Sequence, residues 1–440
     1  MNNEESRNDD KKCEIMEFSS DESDAELEES MVFRHFKAAR TMRKTLICPD
    51  TAEGSSYIQS LPTEIVFSIL GYLDIKSLMT VLKSVSRYFF SILSSKEYWE
   101  MRLSQCLSSN SASLKLSECE VERLAKVGLP KCVYELETAK GLSSSKNLVK
   151  YSSSSHFGDV HCCKMLSLPG KKLAMSGSRD KTICVYDLSL LGTDTSCLIN
   201  TNTDHNGWIW ALDQEDGRNS KIASGSWDSH INIYDICKGN LQKVTNLNIH
   251  SATLCLRFEH NFLIYGTYSK KVFGCDTRSG EIVMTLKNHT KPVLSVASSP
   301  NFIWSSGEDK ALTCYDRRMN KLLKRIRLAS MSSSITYSDP YVWVGAYDGF
   351  VKCFSQEMGV VSKFDTGHTQ PIISMSHGLG ATVVGGKDGK VTVHSPNLSP
   401  GLWNTFKLDN SASCVDYKDG VLMAGCCDST VTFWKNKHLE

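Results

Sequence analysis

Two rhythms of apolar and polar positions divide this chain. The longer one fills its C-terminal two-thirds, where apolar and polar residues alternate in short runs broken by turn residues. The clearest unit opens at His205, and Trp208-Ile209-Trp210-Ala211-Leu212 predict an inner strand. Ile222-Ala223-Ser224-Gly225 predict a second strand, Trp227-Asp228 a tight turn, and Ile231, Ile233 and Tyr234-Asp235 a third strand. Alternation with period two, rich in β-branched residues, suits a sheet because successive side chains face opposite sides. The turn Asp recurs as Asp180, Asp228, Asp309, Asp348, Asp388 and Asp428, with Ser269 in a seventh slot. Successive spacings of 48, 41, 40, 39, 40 and 40 residues match a four-stranded propeller blade of ~40–45 residues. The expected fold over residues 146–440 is therefore an all-β, seven-bladed propeller, with an insertion near 189–204. The last unit stops after its third strand, so its outermost strand must come from elsewhere. Asn147-Leu148-Val149-Lys150-Tyr151, just ahead of His156, is the expected donor.

The second rhythm is helical and lies upstream. Leu61 and Pro62 open it, with Pro62 suited to a first helical position. Ile65, Val66, Ile69, Leu70 and Leu73 predict one wide apolar stripe. Asp74 can cap a second helix carrying Leu78, Val81 and Leu82, while Val85, Phe89, Ile92 and Leu93 stripe a third, and Trp99 closes the segment. Three short helices in residues 56–103 make a poor core of their own. A partner is expected to cover some of these faces. Residues 104–145 read as a helical linker, its helix starting after Ser117 and interrupted by Pro130. Residues 1–55 carry few aliphatics and are expected to be a disordered tail. SSDESDAELEES at 19–30 reads as solvated, and its serines among acids invite an acid-directed kinase.

Composition narrows the class. Net charge is +1, so no overall field favours nucleic acid or an anionic membrane. The imbalance is local: residues 1–30 hold twelve acids against three bases, and 31–44 hold five bases and no acid. Seventeen cysteines are scattered without a CxxC, which points to small apolar fillers in a reducing compartment rather than to disulfides or zinc. MNNEESRNDD lacks the basic and apolar regions of a signal peptide. No stretch of ~20 apolar residues offers a membrane span. An intracellular protein, cytoplasmic or nuclear, is expected.

The repeats resemble the WD-repeat family. His156, Ser176-Gly177, Asp180 and Tyr186-Asp187 match its pattern, as do His289, Ser306-Gly307, Asp309 and Tyr315-Asp316, with Tyr in place of the usual terminal Trp. The resemblance implies a hydrogen-bonded structural set of turn Asp, opening His, a hydroxyl on the second strand and the terminal aromatic. His156, His205, His250, His289 and His368 are then core histidines. Repeats three, five, six and seven are degenerate, with Cys275-Asp276, Phe354-Ser355, His394-Ser395 and Trp434-Lys435 at the terminal pair. Repeat five has no opening His, and repeat seven has Asp409 or Asn410 there.

The helical segment LPTEIVFSILGYLDIKSLMTVLKSVSRYFFSILSSKEYWEMRL resembles an F-box, with Phe90 in a slot often filled by Trp. An F-box ahead of a propeller is similar to the F-box/WD-repeat substrate receptors. That resemblance implies binding to the Skp adaptor (S-phase kinase-associated protein 1) and, through it, to a cullin–RING ubiquitin ligase. Leu61, Pro62, Ile65, Leu70, Leu73, Leu78, Val85 and Trp99 are the expected adaptor contacts. The propeller is expected to hold a protein substrate. The residue before each turn Asp faces one mouth of the channel, which nominates Arg179, Trp227, Tyr268, Tyr347 and Lys387. Only Arg179 and Lys387 are cationic, too few for a phosphate-reading arginine cluster. GGKDGK at 385–390 lacks phosphate-loop spacing, and neither GxSxG nor HExxH occurs. No cofactor, metal or intrinsic catalysis is expected. The alternative is a non-catalytic scaffold acting outside a ligase.

Overall fold

The structure is a computed structural model, and it describes residues 57–108, 128–143, 148–193, 195–217, 220–237 and 239–437. The acidic tail, its serines and the helix start expected after Ser117 lie outside these residues. The chain divides into two compact units, one ending at Ser94 and one beginning at Ser95.

In the first unit a helix spans Thr63–Gly71, with Pro62 in the cap position rather than the first turn. Asp74 caps the next helix, accepting the Ser77 N–H at 2.8 Å. This helix runs through Ile75–Ser77, a π turn at Leu78–Leu82, and Lys83–Val85. Val85 therefore ends the second helix and does not stripe the third, which spans Arg87–Ser94. The break falls at Ser86, whose backbone is extended and whose hydroxyl accepts the Phe89 N–H.

The second unit opens with the helix Lys96–Ser108, which holds Trp99, and continues with the helix Leu129–Lys140. Pro130 begins the latter helix instead of interrupting one, because its missing N–H is harmless in a first turn. Ala139 and Leu142 pack with Ala381, Val383, Leu422 and Trp434 of the propeller. The Leu142 carbonyl also accepts from Asn404 Nδ2 at 2.7 Å.

Seven four-stranded antiparallel sheets follow. Blade one runs outward through Val160–Met165, Leu173–Ser178, Ile183–Asp187 and Leu198–Asn202, and blades two to six repeat that order. In blade seven the outermost strand is Leu148–Ser153, paired with Val431–Asn436 from the other end of the propeller. The donor strand expected from the sequence is the one observed, extended to Ser153. Core clusters join neighbouring blades, as where Trp304 and Leu312 meet Ile335 and Val342. Polar side chains bridge the blades as well. Asp416 accepts from the Met165 N–H and from Ser376 Oγ, both at 2.8 Å, tying blade seven to blades one and six.

One irregularity recurs in every blade. The innermost strand slips register by one residue where it meets the second strand. Such a bulge leaves one residue unpaired, bends the strand and re-aims that side chain. The seven extra residues are His161, Trp210, Leu254, Leu294, Ser333, Ile373 and Ser413.

Candidate functional site: propeller mouth and exposed helical face

The mouth is assembled by the turns that carry the aspartates. In all six, one carboxylate oxygen accepts the N–H two residues on, from 2.9 Å at Asp180 to 3.3 Å at Asp388. Four of them also reach across to the loop ahead of the innermost strand. His156, His205, His289 and His368 each place Nδ1 at 2.8–3.1 Å from Asp180, Asp228, Asp309 and Asp388. The N–H after each His adds a second bond to the same carboxylate. Burial pushes these carboxyls toward the neutral form, but the histidine and backbone donors outweigh it and hold all four below the usual carboxylate range. A carboxylate only accepts, so Nδ1 carries the proton. Nε2 then meets Ser176, Ser224, Ser305 and Thr392 in turn.

Three details depart from the sequence reading. His250 is exposed, since Ser269 offers no carboxylate to hold it; the Ser269 N–H instead donates to Ser251 Oγ at 3.2 Å. Ser305, not Ser306, partners His289, while Ser306 turns to Ser332. Asp348 and Asp428 make only local turn bonds among the described residues. Cys184 lies 3.9 Å from His156 Nδ1, the nitrogen that already faces Asp180. A nucleophile relay needs thiol and carboxylate on opposite ring nitrogens, so this trio is structural.

The rim residues fall into two groups. Trp227, 37 % exposed, has its ring 5.7 Å from Trp208, 5.9 Å from Trp210 and 5.5 Å from Tyr268. The Arg179 guanidinium lies 4.3 Å from the centre of the Trp208 ring, and Phe157 nearby in sequence is 97 % exposed. Tyr347 and Lys387 stand apart from that cluster. They line a cavity of about 430 Å³ at the channel mouth together with all seven bulge residues. The bulge residues were missed in the sequence because alternation alone does not reveal where a strand gains a residue.

The helical segment carries a different surface. Its single predicted stripe is two faces. Val66, Leu70, Leu78 and Ile92 are buried, whereas Ile65 and Ile69 are each 48 % exposed, Leu73 41 % and Val85 63 %. Leu61, Pro62, Tyr72, Val81 and Phe90 are exposed too. Leu70, Leu78 and Trp99, expected to touch a partner, are at most 2 % exposed and serve the interior. Ile69, Tyr72, Val81 and Phe90 were left out of that expectation. The one-residue offset between Ile65/Ile69 and Val66/Leu70 is the signal, since a short helix cannot bury both rows against one core.

The F-box-like family model matches residues 58–103, and the WD domain, G-beta repeat model matches 148–187, 196–235 and 280–316. Human F-box/WD repeat-containing protein 9 is 29 % identical over 86 % of this chain and 82 % of its own. F-box/WD repeat-containing protein mec-15 of Caenorhabditis elegans is 24 % identical over 85 % and 95 %. Over most of its length the chain is thus similar to F-box/WD-repeat proteins. Autophagy-related protein 16 of Arabidopsis thaliana is 24 % identical over 47 % of this chain and 41 % of its own.

Each matched WD segment supplies the outermost strand of the preceding blade and the three inner strands of blade one, two or four. These blades are three of the four that close a His–Asp bridge, and all three segments end in Tyr-Asp. In blade one the Tyr186 hydroxyl joins the set through Ser176 Oγ at 2.9 Å. No described helix is long and apolar enough to cross a membrane.

Proposed function

We propose that this chain is the substrate-recognition subunit of a Skp–cullin–F-box ubiquitin ligase. The observation that carries this reading is the exposed apolar face of the F-box-like segment. Ile65, Ile69, Tyr72, Leu73, Val81, Val85 and Phe90 are 41–92 % exposed, within a segment that spans only about forty residues. Exposed apolar residues this dense mark an interaction site, and the Skp adaptor is the partner that the F-box resemblance supplies. Leu61 and Pro62 flank the face; Leu70 and Leu78 are buried within the same unit. The propeller mouth holds the substrate. The chain itself does no chemistry in this scheme. Tethering a substrate lysine beside a ubiquitin-charged enzyme raises its effective concentration.

Two experiments test the two halves. Ile69→Glu with Leu73→Glu alters exposed positions, so the propeller should keep its melting temperature. Burying those charges costs roughly 2 kcal/mol or more apiece in an apolar interface, and co-purification of the Skp adaptor should be lost. Retained adaptor in the double variant refutes the ligase reading. Trp227→Ala with Tyr347→Ala should keep the adaptor and deplete substrates in proximity labelling under proteasome inhibition. An unchanged substrate list would move recognition away from this mouth.

A further inference from the structure

The mouth cavity holds a charge that nothing in its walls answers. We propose that it binds a bulky apolar side chain lying next to a carboxylate, so that the peptide it recognises is acidic but unphosphorylated. This deepens the substrate-receptor reading above and rests on it.

Three observations lead there. The cavity measures about 430 Å³, enough for one large side chain and its neighbour, and Trp210, Leu254, Leu294 and Ile373 give it apolar walls. No Asp or Glu lines it, and Lys387 is its one Lys or Arg. Lys387 is exposed and takes part in no ion pair among the described residues. Burial pushes the imidazole of His161 and the phenol of Tyr347, which also line it, toward their neutral forms. A cationic ligand meets no carboxylate here, whereas an anion meets Lys387.

The wider channel is different. Its second cavity, about 550 Å³, contains Lys164, Asp213, Asp216 and Arg257. Those charges already pair, Lys164 with Asp213 at 2.7 Å and Arg257 with Asp216 at 2.7 Å. Glu215, Asp416 and Lys418 line it too, so it holds four carboxyl side chains against three cationic ones and is biased against an anion. Carboxylate is favoured over phosphate because phosphate recognition draws on several bidentate guanidinium contacts. The nearest candidate, Arg179, lies over the Trp208 ring and 3.9 Å from Asp159, outside the cavity lining.

Three small probes with one phenyl group test the site on the full chain by calorimetry or ligand-observed NMR. They are 3-phenylpropionate, its neutral amide 3-phenylpropanamide, and 2-phenylethyl phosphate. The acid should bind in the millimolar range, roughly five- to tenfold tighter than the amide, as one charge-assisted bond would give. Lys387→Gln, a surface change that leaves the fold intact, should erase that difference while the amide keeps its affinity. Trp210→Ala should weaken acid and amide alike. Equal binding of acid and amide to the unaltered chain overturns the proposal, as does phosphate binding much tighter than the acid, or no saturable binding of either. None of these readouts involves the adaptor, so a failure here is distinct from a failure of the ligase reading.

Discussion

At the scale of single residues, the turn aspartates are not equivalent. Asp228 accepts from His205, from the Asn206 N–H and from the His230 N–H. Asp228→Ala should destabilise the propeller by ~1–3 kcal/mol, the cost of leaving a buried imidazole N–H unsatisfied. Asp348→Ala and Asp428→Ala should cost under about 1 kcal/mol, because neither is bonded to a buried histidine and their partners lie within four residues along the chain. Thermal denaturation of the three variants decides it, and equal losses would contradict the ranking. A pH dependence follows with a definite sign. The carboxyls of Asp180, Asp228, Asp309 and Asp388 sit below their ordinary value in the fold. Their contribution is therefore complete above the unfolded value of ~3.9 and lost as pH falls below it. Asp228→Asn should shrink that acid-side loss in a pH titration of melting temperature. The aspartates themselves were legible from spacing alone. The serine that completes each set was legible in blades one and two, where Ser176 and Ser224 precede a Gly. It was misplaced in blade four, where two serines stand side by side and only the pleat decides which faces His289. His250 was misread for a related reason: a histidine is drawn inside by its carboxylate, and Ser269 is not one.

At the scale of elements, one conformation recurs that periodicity could not show. The residue after each turn Asp, or after Ser269, has positive φ in every blade: Lys181, Ser229, Lys270, Lys310, Gly349, Gly389 and Ser429. L-residues pay roughly 1–2 kcal/mol for that left-handed geometry, and glycine is free of it, though it loses more entropy on folding. Lys310→Gly should thus raise stability by about 0.5–1 kcal/mol. Gly349→Ala should lower it by about 1–2 kcal/mol, the more so because a Cβ there would lie 3.1 Å from the His368 carbonyl oxygen. Denaturant titration of the pair checks both signs. The helical segment teaches the complementary lesson. Its helices and the Asp74 cap could be read from the sequence, but the division of its apolar residues between interior and surface could not. Ile65 and Val66 are equally apolar, and only the direction of the core separates them.

At the scale of the whole molecule, one strand pairing joins the two ends of the propeller within a single blade, beside the packing of blade seven on blade one. Leu148–Ser153 runs antiparallel to Val431–Asn436 over six residue pairs, with Ser152 and Thr432 hydroxyls 3.3 Å apart. Tyr151→Pro removes an N–H from that ladder and is expected to lower the melting temperature and open blade seven to proteolysis; a Pro at the solvent-facing Lys243 of blade two should do far less to the ends of the ring. Comparable nicking in both variants would show that closure depends little on the clasp. The periodicity made seven blades and the donor strand legible, since each blade needs four strands and the last had three.

That clasp also has a meaning in time. Its hydroxyl pair is separated by 280 residues of chain. At ~5–20 residues per second a ribosome takes about 14–56 s to make that interval. Throughout it the first strand of the propeller exists without the partner it will finally pair with, while blades one to six are made in turn. The F-box-like segment is made earlier still, so under the function proposed above its exposed apolar face is open to an adaptor before the ring that would hold a substrate is closed.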